Sequence, residues 1–483
     1  MNTVKTVTSR VSSRPSETNS PSVQDKLQRR VLMVVPHRIR DLEGRALIAY
    51  HLEREYGHHT RLCTPDALNR SLEEYSPDLL LVDDVGWGTR AELVRRAKSL
   101  GCKVVLLPVF GLTDNDSDCL RAAGKWTDTA GLIDGFLCWG PYSQRILLDG
   151  QLAPESKFHV VGSSRFDFYA APYTALAKTR KDLLEPLGVL HPERPLIVWA
   201  TSTPQFARDR AQEIRNKVEG SLIPEDEAII EIEEEERQFN ENSKTVFALA
   251  KRNPNWNVVI KVHPLESVDS YFPLREQASN IYIAFDAPIR DFLIRCDVLL
   301  QRGCTTASEA WMLNRPVVEL SIEGARRNWA PQEYLAGNHK TVTVEEAERA
   351  ITDYLSGTGI SPDQQQARVD FISENYFRID GQSSARCAGL IHTLLTPPVH
   401  SDPDHLRIRE LCAALRRQRN SVSDTRWSNR IKDFLGVDRH TTLRAWRQLN
   451  PKARKHRPLV ASREISQTMV DQLHLAFDRL HQN

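Results

Sequence analysis

The sequence lacks three things: a long apolar run, an excess of one charge and a paired-cysteine motif. Its 483 residues carry a net charge of +1, which argues against a global field for nucleic acid or an anionic membrane. No apolar run approaches the ~20 residues that span a bilayer. Residues 1–28 have no apolar core and are rich in Ser, Thr and Pro, so we expect a disordered tail rather than a secretory signal. A transit peptide is the alternative, although Glu17 and Asp25 do not suit one.

The eight cysteines contain no CxxC pair. Four of them, Cys63, Cys138, Cys296 and Cys387, lie within apolar runs. We therefore expect reduced thiols in the core of a cytoplasmic protein, with no disulfide framework and no zinc site.

Two series of short apolar strands alternate with helical segments, and the chain is too long for one hydrophobic core. Residues 29–170 begin with the strand RRVLMVVPH, a helix over 43–56 and the strand HTRLCTP. Residues 191–396 begin with RPLIVWATST and continue through NWNVVIKVHP, with a linker at 171–190 between the series. This alternation predicts an α/β protein of two Rossmann-like doubly wound domains facing a cleft. We expect ligands beyond the carboxyl ends of the strands, and the acidic run at 231–236 on a solvated helix face.

Residues 397–483 change character, because Arg and Lys exceed Asp and Glu there. Amphipathic spacing with Trp427, Phe434 and Trp446 as anchors predicts a basic helical appendage. A solvated helical cap and a contact surface for acidic lipid or a polymer remain equal alternatives. Nucleic-acid binding is disfavoured, because the positive charges are scattered around the helices.

The stretch LLQRGCTTASEAWMLNRPVVEL places small hydroxylated residues between a buried strand and a helix. The chain turns at Gly303, and Thr305 and Thr306 follow at the predicted helix start. Glu309 lies three residues after Thr306, which is the spacing of a capping box. A helix N-terminus with added hydroxyls can bind pyrophosphate, but helix caps far outnumber phosphate sites. The pattern leaves both interpretations open.

A second candidate lies at the end of the strand NVVIKVHP. The strand delivers His263 to the sheet edge, Lys261 supplies positive charge nearby, and Pro264 ends the strand. An imidazole there can donate to a phosphate oxygen, although a bond to a backbone carbonyl is a common alternative. The two candidates support one another because they fall in one predicted domain.

Several segments together resemble bacterial surface carbohydrate biosynthesis proteins with the GT-B glycosyltransferase fold. They are VVPHRIRDLEGRALIAYHLEREYGHHTRL, HVVGSSRFDFY, KVHP, CDVLLQRGCTTASEAWMLNRPVV and DGQSSARCAGLI. The resemblance covers about residues 30–395. It implies a cytoplasmic sugar transferase of surface polysaccharide assembly, such as that of capsule or lipopolysaccharide, with a peripheral position at the inner face of the membrane as an alternative.

The resemblance extends to transferases that use CMP-activated sugars, and it implies roles for individual residues. The donor-phosphate group would comprise His263, Lys261, Gly303, Thr305 and Thr306. Glu309 would face the nucleotide ribose, and the first loop would place His37, Arg38 and Arg40 on the acceptor side. No Asp-x-Asp motif argues for a divalent metal, since Asp114-Asn115-Asp116 matches the motif only by letter. No cofactor is expected, because the nucleotide sugar is a substrate.

The sequence departs from those enzymes at the expected catalytic base. Related CMP-sugar enzymes carry an acidic pair before a glycine in the N-terminal domain, whereas this chain has Val109-Phe110-Gly111. Asp114 and Asp116 follow directly, and Asp84 ends an earlier strand on the cleft side. These are the candidate bases, although a strand-end aspartate more often caps a turn.

The expected function is therefore transfer of a sugar, with a CMP-sugar favoured, to a glycan or lipid-linked acceptor without a metal. Three rival functions remain. A polyol-phosphate transferase using a CDP-glycerol-like donor would need the same phosphate site. A sugar-nucleotide epimerase would need carboxylates on both sides of the cleft. A non-catalytic scaffold is supported by the missing acidic pair and the basic tail, which could contact membrane or polysaccharide machinery.

Overall fold

The computed structural model contains two six-stranded parallel sheets, which confirms the predicted α/β class. It describes residues 28–85, 90–108, 127–203, 210–221, 224–264, 266–285, 287–324, 336–396 and 465–482. Among these, no helix is both long and apolar enough to cross a membrane.

The first sheet has the strand order β2-β1-β3-β4-β5-β6, with every neighbouring pair parallel. Its strands are β1 Arg30–Val34, β2 His59–Cys63, β3 Leu79–Val82, β4 Lys103–Leu106, β5 Gly135–Cys138 and β6 Phe158–Val160. The accompanying helices are α1 Arg38–Arg54, α2 Leu68–Tyr75, α3 Arg90–Ser99, α4 Thr127–Ala130 and α5 Pro141–Asp149. A 3₁₀ helix, Ser164–Tyr169, follows β6.

The second sheet has the order β12-β11-β10-β7-β8-β9 and is also parallel. Its strands are β7 Leu196–Ala200, β8 Asn257–Lys261, β9 Ile281–Ala284, β10 Val298–Gln301, β11 Val317–Leu320 and β12 His339–Thr341. The described helices from the linker to the sheet's end are α6 Arg180–Leu184, α7 Arg210–Ser221, α8 Glu225–Arg252, α9 Phe272–Gln277, α10 Ile289–Arg295, α11 Thr306–Met312, α12 Val344–Leu355 and α13 Pro362–Tyr376.

Two helices near the C-terminus pack on the first sheet's helix α1. These are α14, Ser383–Leu395, and α15, Gln467–Gln482. Phe477 of α15 is fully buried, and the Nε2 atom of His474 lies 3.0 Å from the carbonyl oxygen of Ala46. The described end of the predicted appendage is thus attached to the first sheet's layer. Trp427, Phe434 and Trp446 lie outside the described residues.

The strands are almost continuously apolar because helices cover both faces of each sheet. One buried apolar cluster includes Val31 of the first sheet and Val198 of the second, so the two layers share a hydrophobic contact. Cys63, Cys138, Cys296 and Cys387 are buried and unpaired, as predicted. Burial raises the pKa of the Cys296 thiol to about 12.

Helix α1 begins five residues earlier than predicted, at Arg38 rather than at position 43. The ring nitrogen Nδ1 of His37 accepts the N–H of Arg40 at 3.3 Å and caps the helix. The sequence analysis started the helix too late because histidine is not among the strongly preferred N-cap residues, so His37 gave no signal of a helix start. The helix ends before Gly57, whose φ of +71° requires the left-handed region.

The predicted solvated face at 231–236 is wrong. Glu231, Glu234 and Glu235 are buried. Glu231 accepts a hydrogen bond from Lys217 of α7, and Glu234 lies 3.4 Å from an Arg302 nitrogen after β10. A run of like charges is normally solvated, but here cations from other elements offset the cost of burial.

Candidate functional site

Each sheet reverses its strand order at one place, and that place marks a crevice at the carboxyl ends of the strands. In the first sheet, β2 and β3 lie on opposite sides of β1; in the second, β8 and β10 lie on opposite sides of β7. Open α/β sheets bind ligands at such switch points. We call the two regions the first edge, after β1 and β3, and the second edge, after β7, β8 and β10.

At the second edge, segments that follow three neighbouring strands are joined by hydrogen bonds. The hydroxyl oxygen of Thr201, after β7, accepts the backbone N–H of His263, after β8, at 2.8 Å. The hydroxyl of Ser202 donates to the carbonyl of Arg302, after β10, at 2.9 Å. The sequence-predicted phosphate residues of β8 and of the turn at 303–306 therefore share one edge, with the β7 hydroxyls between them.

The turn after β10 is held by two side chains that sequence reasoning did not select. Gly303 has a φ of +53°, a conformation that favours glycine. Its N–H donates to Oε1 of Glu319 at 2.8 Å, and the N–H of Cys304 donates to Oε1 of Gln301 at 2.7 Å. The backbone of the turn is thus fixed by acceptors on β10 and β11.

Glu319 is buried at the end of β11. Its Oε2 accepts from the amide of Gln301 and, at 3.2 Å, from the amide of Asn338. Burial raises the pKa of Glu319 to about 7, although these N–H donors and the charge of Arg302 act in the opposite direction. The turn therefore rests on a carboxylate that titrates near neutral pH.

The capping box predicted at Thr306 does not form. Helix α11 begins at Thr306 with Thr305 at the N-cap position, and no side chain caps it. The Thr306 hydroxyl instead lies 3.1 Å from the Cys304 sulfur. Glu309 turns away from the helix start, accepts the hydroxyl of Tyr169 and lies 3.5 Å from Nη2 of Arg165. Its carboxylate therefore links the second sheet's layer to the 3₁₀ helix of the first.

Lys261 is buried at the end of β8, and its ammonium group is anchored to backbone. It donates to the carbonyl oxygens of Val262 at 3.1 Å and of Phe285 at 3.0 Å. This anchoring fixes a positive charge at the second edge. The pKa of His37 at the first edge is lowered mainly by burial and by the charge of Arg40, and the charge of Lys261 acts in the same direction.

At the first edge, the chain places His37 after β1 and Asp83-Asp84 after β3. Asp84, a candidate base, accepts the N–H of Val85 at 2.8 Å, which is the geometry of a turn aspartate. Asp83 is buried 3.2 Å from a nitrogen of Arg90, and burial raises its pKa. Arg45 lies close enough for its charge to oppose that shift.

Of the other residues predicted on the acceptor side or as the base, the structure describes Arg38 and Arg40. Arg38 opens helix α1, and Arg40 pairs with Asp41 at 3.2 Å. Asp114 and Asp116, the remaining candidate bases, lie outside the described residues, as does the loop that replaces the acidic pair. The identity of the base therefore stays a prediction.

Ion pairs join the layer of the first sheet to that of the second. One joins Arg165 to Glu309; the other joins Arg290 of α10 to Glu43 of α1 at 2.6 Å. Arg290 is buried and its guanidinium also lies over the ring of Phe168, 5.2 Å from its centroid. Desolvated pairs of this kind fix the position of one layer relative to the other.

Arg165, Glu266 and Glu319 are the main site residues that sequence reasoning missed. Glu266 is buried and accepts the N–H of Thr203 at 2.5 Å, so it shapes the loop after β7. Glu319 could have been selected from the sequence, because it is a charged residue near the end of the otherwise apolar strand β11. Arg165 stood inside the recognised segment HVVGSSRFDFY, and Glu266 lies two residues after the recognised segment KVHP, but their partners Glu309 and Thr203 are distant in sequence.

Comparison with known proteins gives structural neighbours only. No family model matches the sequence, and no curated protein matches it. A putative UDP-N-acetylglucosamine 2-epimerase from Listeria monocytogenes is similar with a TM-score of 0.49 and 13% identity, over 78% of this chain and 98% of that one. The UDP-GlcNAc 2-epimerase from Neisseria meningitidis, bound to UDP-GlcNAc, has a TM-score of 0.49 and 16% identity, over 76% and 99%.

The wall teichoic acid polymerase TagF is a third neighbour, with a TM-score of 0.44 and 11% identity over 76% of this chain and 89% of that one. At these identities and TM-scores, the likenesses carry no argument about activity. The functional argument therefore rests on this chain's own residues.

Proposed function

We propose that this chain is a transferase that takes a sugar from a nucleotide-activated donor and passes it to a glycan or lipid-linked acceptor. The donor's phosphates would lie at the second edge, against His263, Thr305 and Thr306, with Lys261 supplying charge. A CMP-activated sugar is the favoured donor from the family resemblance. Surface polysaccharide assembly is the process that this resemblance implies.

One observation carries the proposal: two switch-point edges lie on layers that meet, and the second has a preformed turn. The turn at Gly303 is fixed before any ligand arrives, because Gln301 and Glu319 hold its backbone. Thr305 is exposed beside it. A preorganised site of this kind can stabilise charge that develops on a leaving phosphate, without the cost of reorganisation.

The chemistry assigned to these groups is positioning and charge stabilisation. The bond between the sugar's anomeric carbon and the phosphate oxygen breaks, and the leaving phosphate gains negative charge. The acceptor hydroxyl bonds to the same carbon and loses its proton to a base, for which Asp84, Asp114 and Asp116 are the candidates. Bringing donor and acceptor together in one cleft accelerates such a step by itself.

Thermal shift with CMP, CDP, UDP, GDP and ADP tests the donor site. A nucleotide at 100 times its dissociation constant should stabilise the protein by about 2.7 kcal/mol. We expect one cytidine or uridine nucleotide to stabilise the wild type, and the double variant Thr305→Val/Thr306→Val to lose that shift. If no nucleotide stabilises the wild type, the donor site does not exist and a scaffold becomes the better interpretation.

His263→Ala tests the proposed phosphate contact in turnover. We expect at least a tenfold loss, about 1.4 kcal/mol of transition-state stabilisation, with an unchanged melting temperature. Its backbone bonds to Thr201 and Glu266 remain in the variant, because they use only the N–H and C=O of position 263. Unchanged turnover would remove His263 from the site.

A further inference from the structure

The turn at 303–306 is bound to the second sheet through groups that can only donate. The N–H of Gly303 donates to Oε1 of Glu319 at 2.8 Å. The N–H of Cys304 donates to Oε1 of Gln301 at 2.7 Å. A backbone N–H offers no lone pair, so each of the two side chains must present an oxygen to the turn. This requirement fixes the amide of Gln301, whose NH₂ group is directed at Glu319 instead.

The second carboxyl oxygen of Glu319, Oε2, receives two more donors. The NH₂ group of Gln301 is one, and the NH₂ group of Asn338 is the other, at 3.2 Å. Asn338 is oriented by Trp311, whose indole N–H can only donate and binds its Oδ1 at 3.0 Å. Neither amide can therefore turn round without losing its bond to a group that has no other way to pair.

A carboxylate is the side chain that completes this network of Glu319, Gln301 and Asn338. Both oxygens of Glu319 accept, whereas an amide at this position would direct N–H bonds at the NH₂ groups of its two neighbours. The three residues are 4%, 0% and 5% exposed, respectively, so solvent does not supply a substitute acceptor. Because an unpaired buried donor is costly, an amide at position 319 would displace part of the network.

The charge of Glu319 depends on burial and on its surroundings. Burial raises its pKa to about 7, while the N–H groups that it accepts and the charge of Arg302 act in the opposite direction. Arg302 is itself buried, and its Nη2 lies 3.4 Å from Glu234 of helix α8. Above pH 7 the carboxylate form predominates, and the network then has the acceptor that it requires.

The outer side of the turn is accessible. Thr305 is exposed and Thr306 is half-buried. The N–H groups of the two preceding residues are bound within the protein instead. Gly303 has a φ of +53°, and its bond to Glu319 holds the chain in that conformation. Because the two threonines follow directly, the position of their hydroxyls depends on the network behind them.

We propose that Glu319 is a positioning residue for the donor phosphate. Its carboxylate holds both N–H groups of the turn, one directly and one through Gln301, and so fixes the hydroxyls of Thr305 and Thr306. Glu319 acts through the turn and does not touch the phosphate. This inference rests on the proposed function, since it assigns a role toward the same donor site.

An exchange of two side chains tests the network. Glu319→Gln removes the acceptor of the two NH₂ groups, and Gln301→Glu places a second carboxylate against the first. In the double variant Gln301→Glu/Glu319→Gln, the new glutamine accepts from Gly303 and donates to the new glutamate. The other oxygen of that glutamate accepts from Cys304. Both N–H groups of the turn are then bound again, and only the bond from Asn338 is lost.

Asp297→Asn is the matched control. Asp297 also accepts a backbone N–H, that of Leu196 at 2.7 Å, and it directly precedes strand β10. It therefore lies at the amino end of the strand whose carboxyl end leads into the turn. The control changes a carboxylate to an amide beside the same strand without altering the network.

Calorimetric titration at pH 8 with CMP, CDP and UDP measures the effect on the donor site. For the nucleotide that binds the wild type, each single variant should bind at least about tenfold more weakly, because ordering the turn then reduces the affinity. The double variant should bind within about threefold of the wild type, because residues in contact compensate one another. Asp297→Asn should match the wild type. A role in stability alone would not produce this pattern, since every titrated protein is folded.

Hydrogen exchange of the ligand-free proteins gives a second measurement. Exchange at residues 303–306 should increase in both single variants and return toward the wild-type rate in the double variant. Asp297→Asn should leave it unchanged. If the double variant does not fold, the single variants and this control still decide whether the network holds the turn.

The inference is overturned if Glu319→Gln binds the nucleotide with wild-type affinity, or if the folded double variant binds no better than the single variants. Its failure is distinct from failure of the proposed function. Binding by the wild type that is lost in Thr305→Val/Thr306→Val leaves the donor site in place and removes only the role of Glu319. If the wild type binds no nucleotide, the proposed function fails, and the role of Glu319 toward the donor fails with it.

Discussion

The loop after β4 in the first sheet and the loops after β7 and β10 in the second sheet are held by opposite kinds of group. After β4, side-chain donors satisfy loop carbonyls: Arg45 donates to the carbonyl of Leu107 at 2.9 Å, and the indole of Trp139 donates to that of Pro108 at 2.9 Å. At the second edge, buried carboxylates satisfy loop N–H groups: Glu266 accepts from Thr203 and Glu319 accepts from Gly303. N–H donors therefore hold the loop after β4, whereas buried carboxylates hold these loops of the second edge.

This difference has a consequence for pH. Arginine stays charged across the physiological range, so the loops of the first edge keep their donors. Burial raises the pKa values of Glu266 and Glu319, so the second edge rests on groups that change charge nearer to neutrality. The preformed turn after β10 therefore depends on a carboxyl group whose charge changes near neutral pH.

The largest expected effect on the free energy of unfolding is the loss of the Phe477 side chain, which packs on the first sheet's side alone. Phe477 of helix α15 is fully buried against Tyr50, Phe168 and Tyr173, all on the first sheet's side. We expect Phe477→Ala to lower the free energy of unfolding by about 3–5 kcal/mol. Leu475→Ala, on the same helix but 54% exposed, is the control and should change it by less than about 0.5 kcal/mol.

Hydrogen exchange then locates the damage in Phe477→Ala. Exchange should increase in helix α1 and leave the turn at 303–306 unchanged, because α15 packs on α1. Equal increases at both edges would mean that the two layers unfold as one unit, and the comparison between them would fail.

A smaller effect concerns the titration of Glu319. Its pKa is about 7 when folded and 4.5 as its ordinary value, so the unfolded chain loses this proton first as pH rises. Stability therefore falls between pH 4.5 and 7, by up to about 3 kcal/mol. Glutamine cannot titrate, so Glu319→Gln should not show this fall. Between pH 4.5 and 7 the difference in unfolding free energy between variant and wild type should therefore change by up to about 3 kcal/mol in favour of the variant.

Chemical denaturation at pH 4.5, 6 and 8 measures this slope. Trp139→Phe is the comparison variant, because it removes the indole donor to Pro108 without adding or removing a titrating group, and it should leave the pH dependence as in the wild type. Parallel pH curves for wild type and Glu319→Gln would show that the second edge does not depend on the charge of Glu319.

The strands could be predicted from sequence because each is a short, nearly continuous apolar run, and burial on both faces leaves that pattern intact. The positions of His263 and Gly303 at one sheet edge followed, since parallel strands share their carboxyl side. Local patterns failed where a distant partner decided the outcome. Glu309 fitted a capping box but is bound by Tyr169, and Glu231 fitted a solvated face but is bound by Lys217. Neither partner lies within the sequence window that a local pattern uses.

The smallest expected change in stability tests the close packing of helix α1, at Gly44, against the Ser164–Tyr169 segment. Alanine is about 1 kcal/mol better than glycine inside a helix, yet a Cβ at Gly44 would lie 2.9 Å from backbone atoms of Ser164 and Arg165, which cannot move aside easily. Overpacking of this kind costs about 1–3 kcal/mol, so Gly44→Ala should be destabilised by about 1 kcal/mol in thermal or chemical unfolding.

Gly389→Ala in helix α14 is the matched control for Gly44→Ala. Its added Cβ would meet only the hydroxyl end of Tyr56, at 3.3 Å. That atom can shift, so the helix propensity of alanine should dominate and the variant should be as stable as the wild type or more so. If Gly44→Ala is also stabilised, the contact between α1 and the Ser164–Tyr169 segment is looser than 2.9 Å implies. The backbone of Arg165 would then not be held tightly against α1 at Gly44.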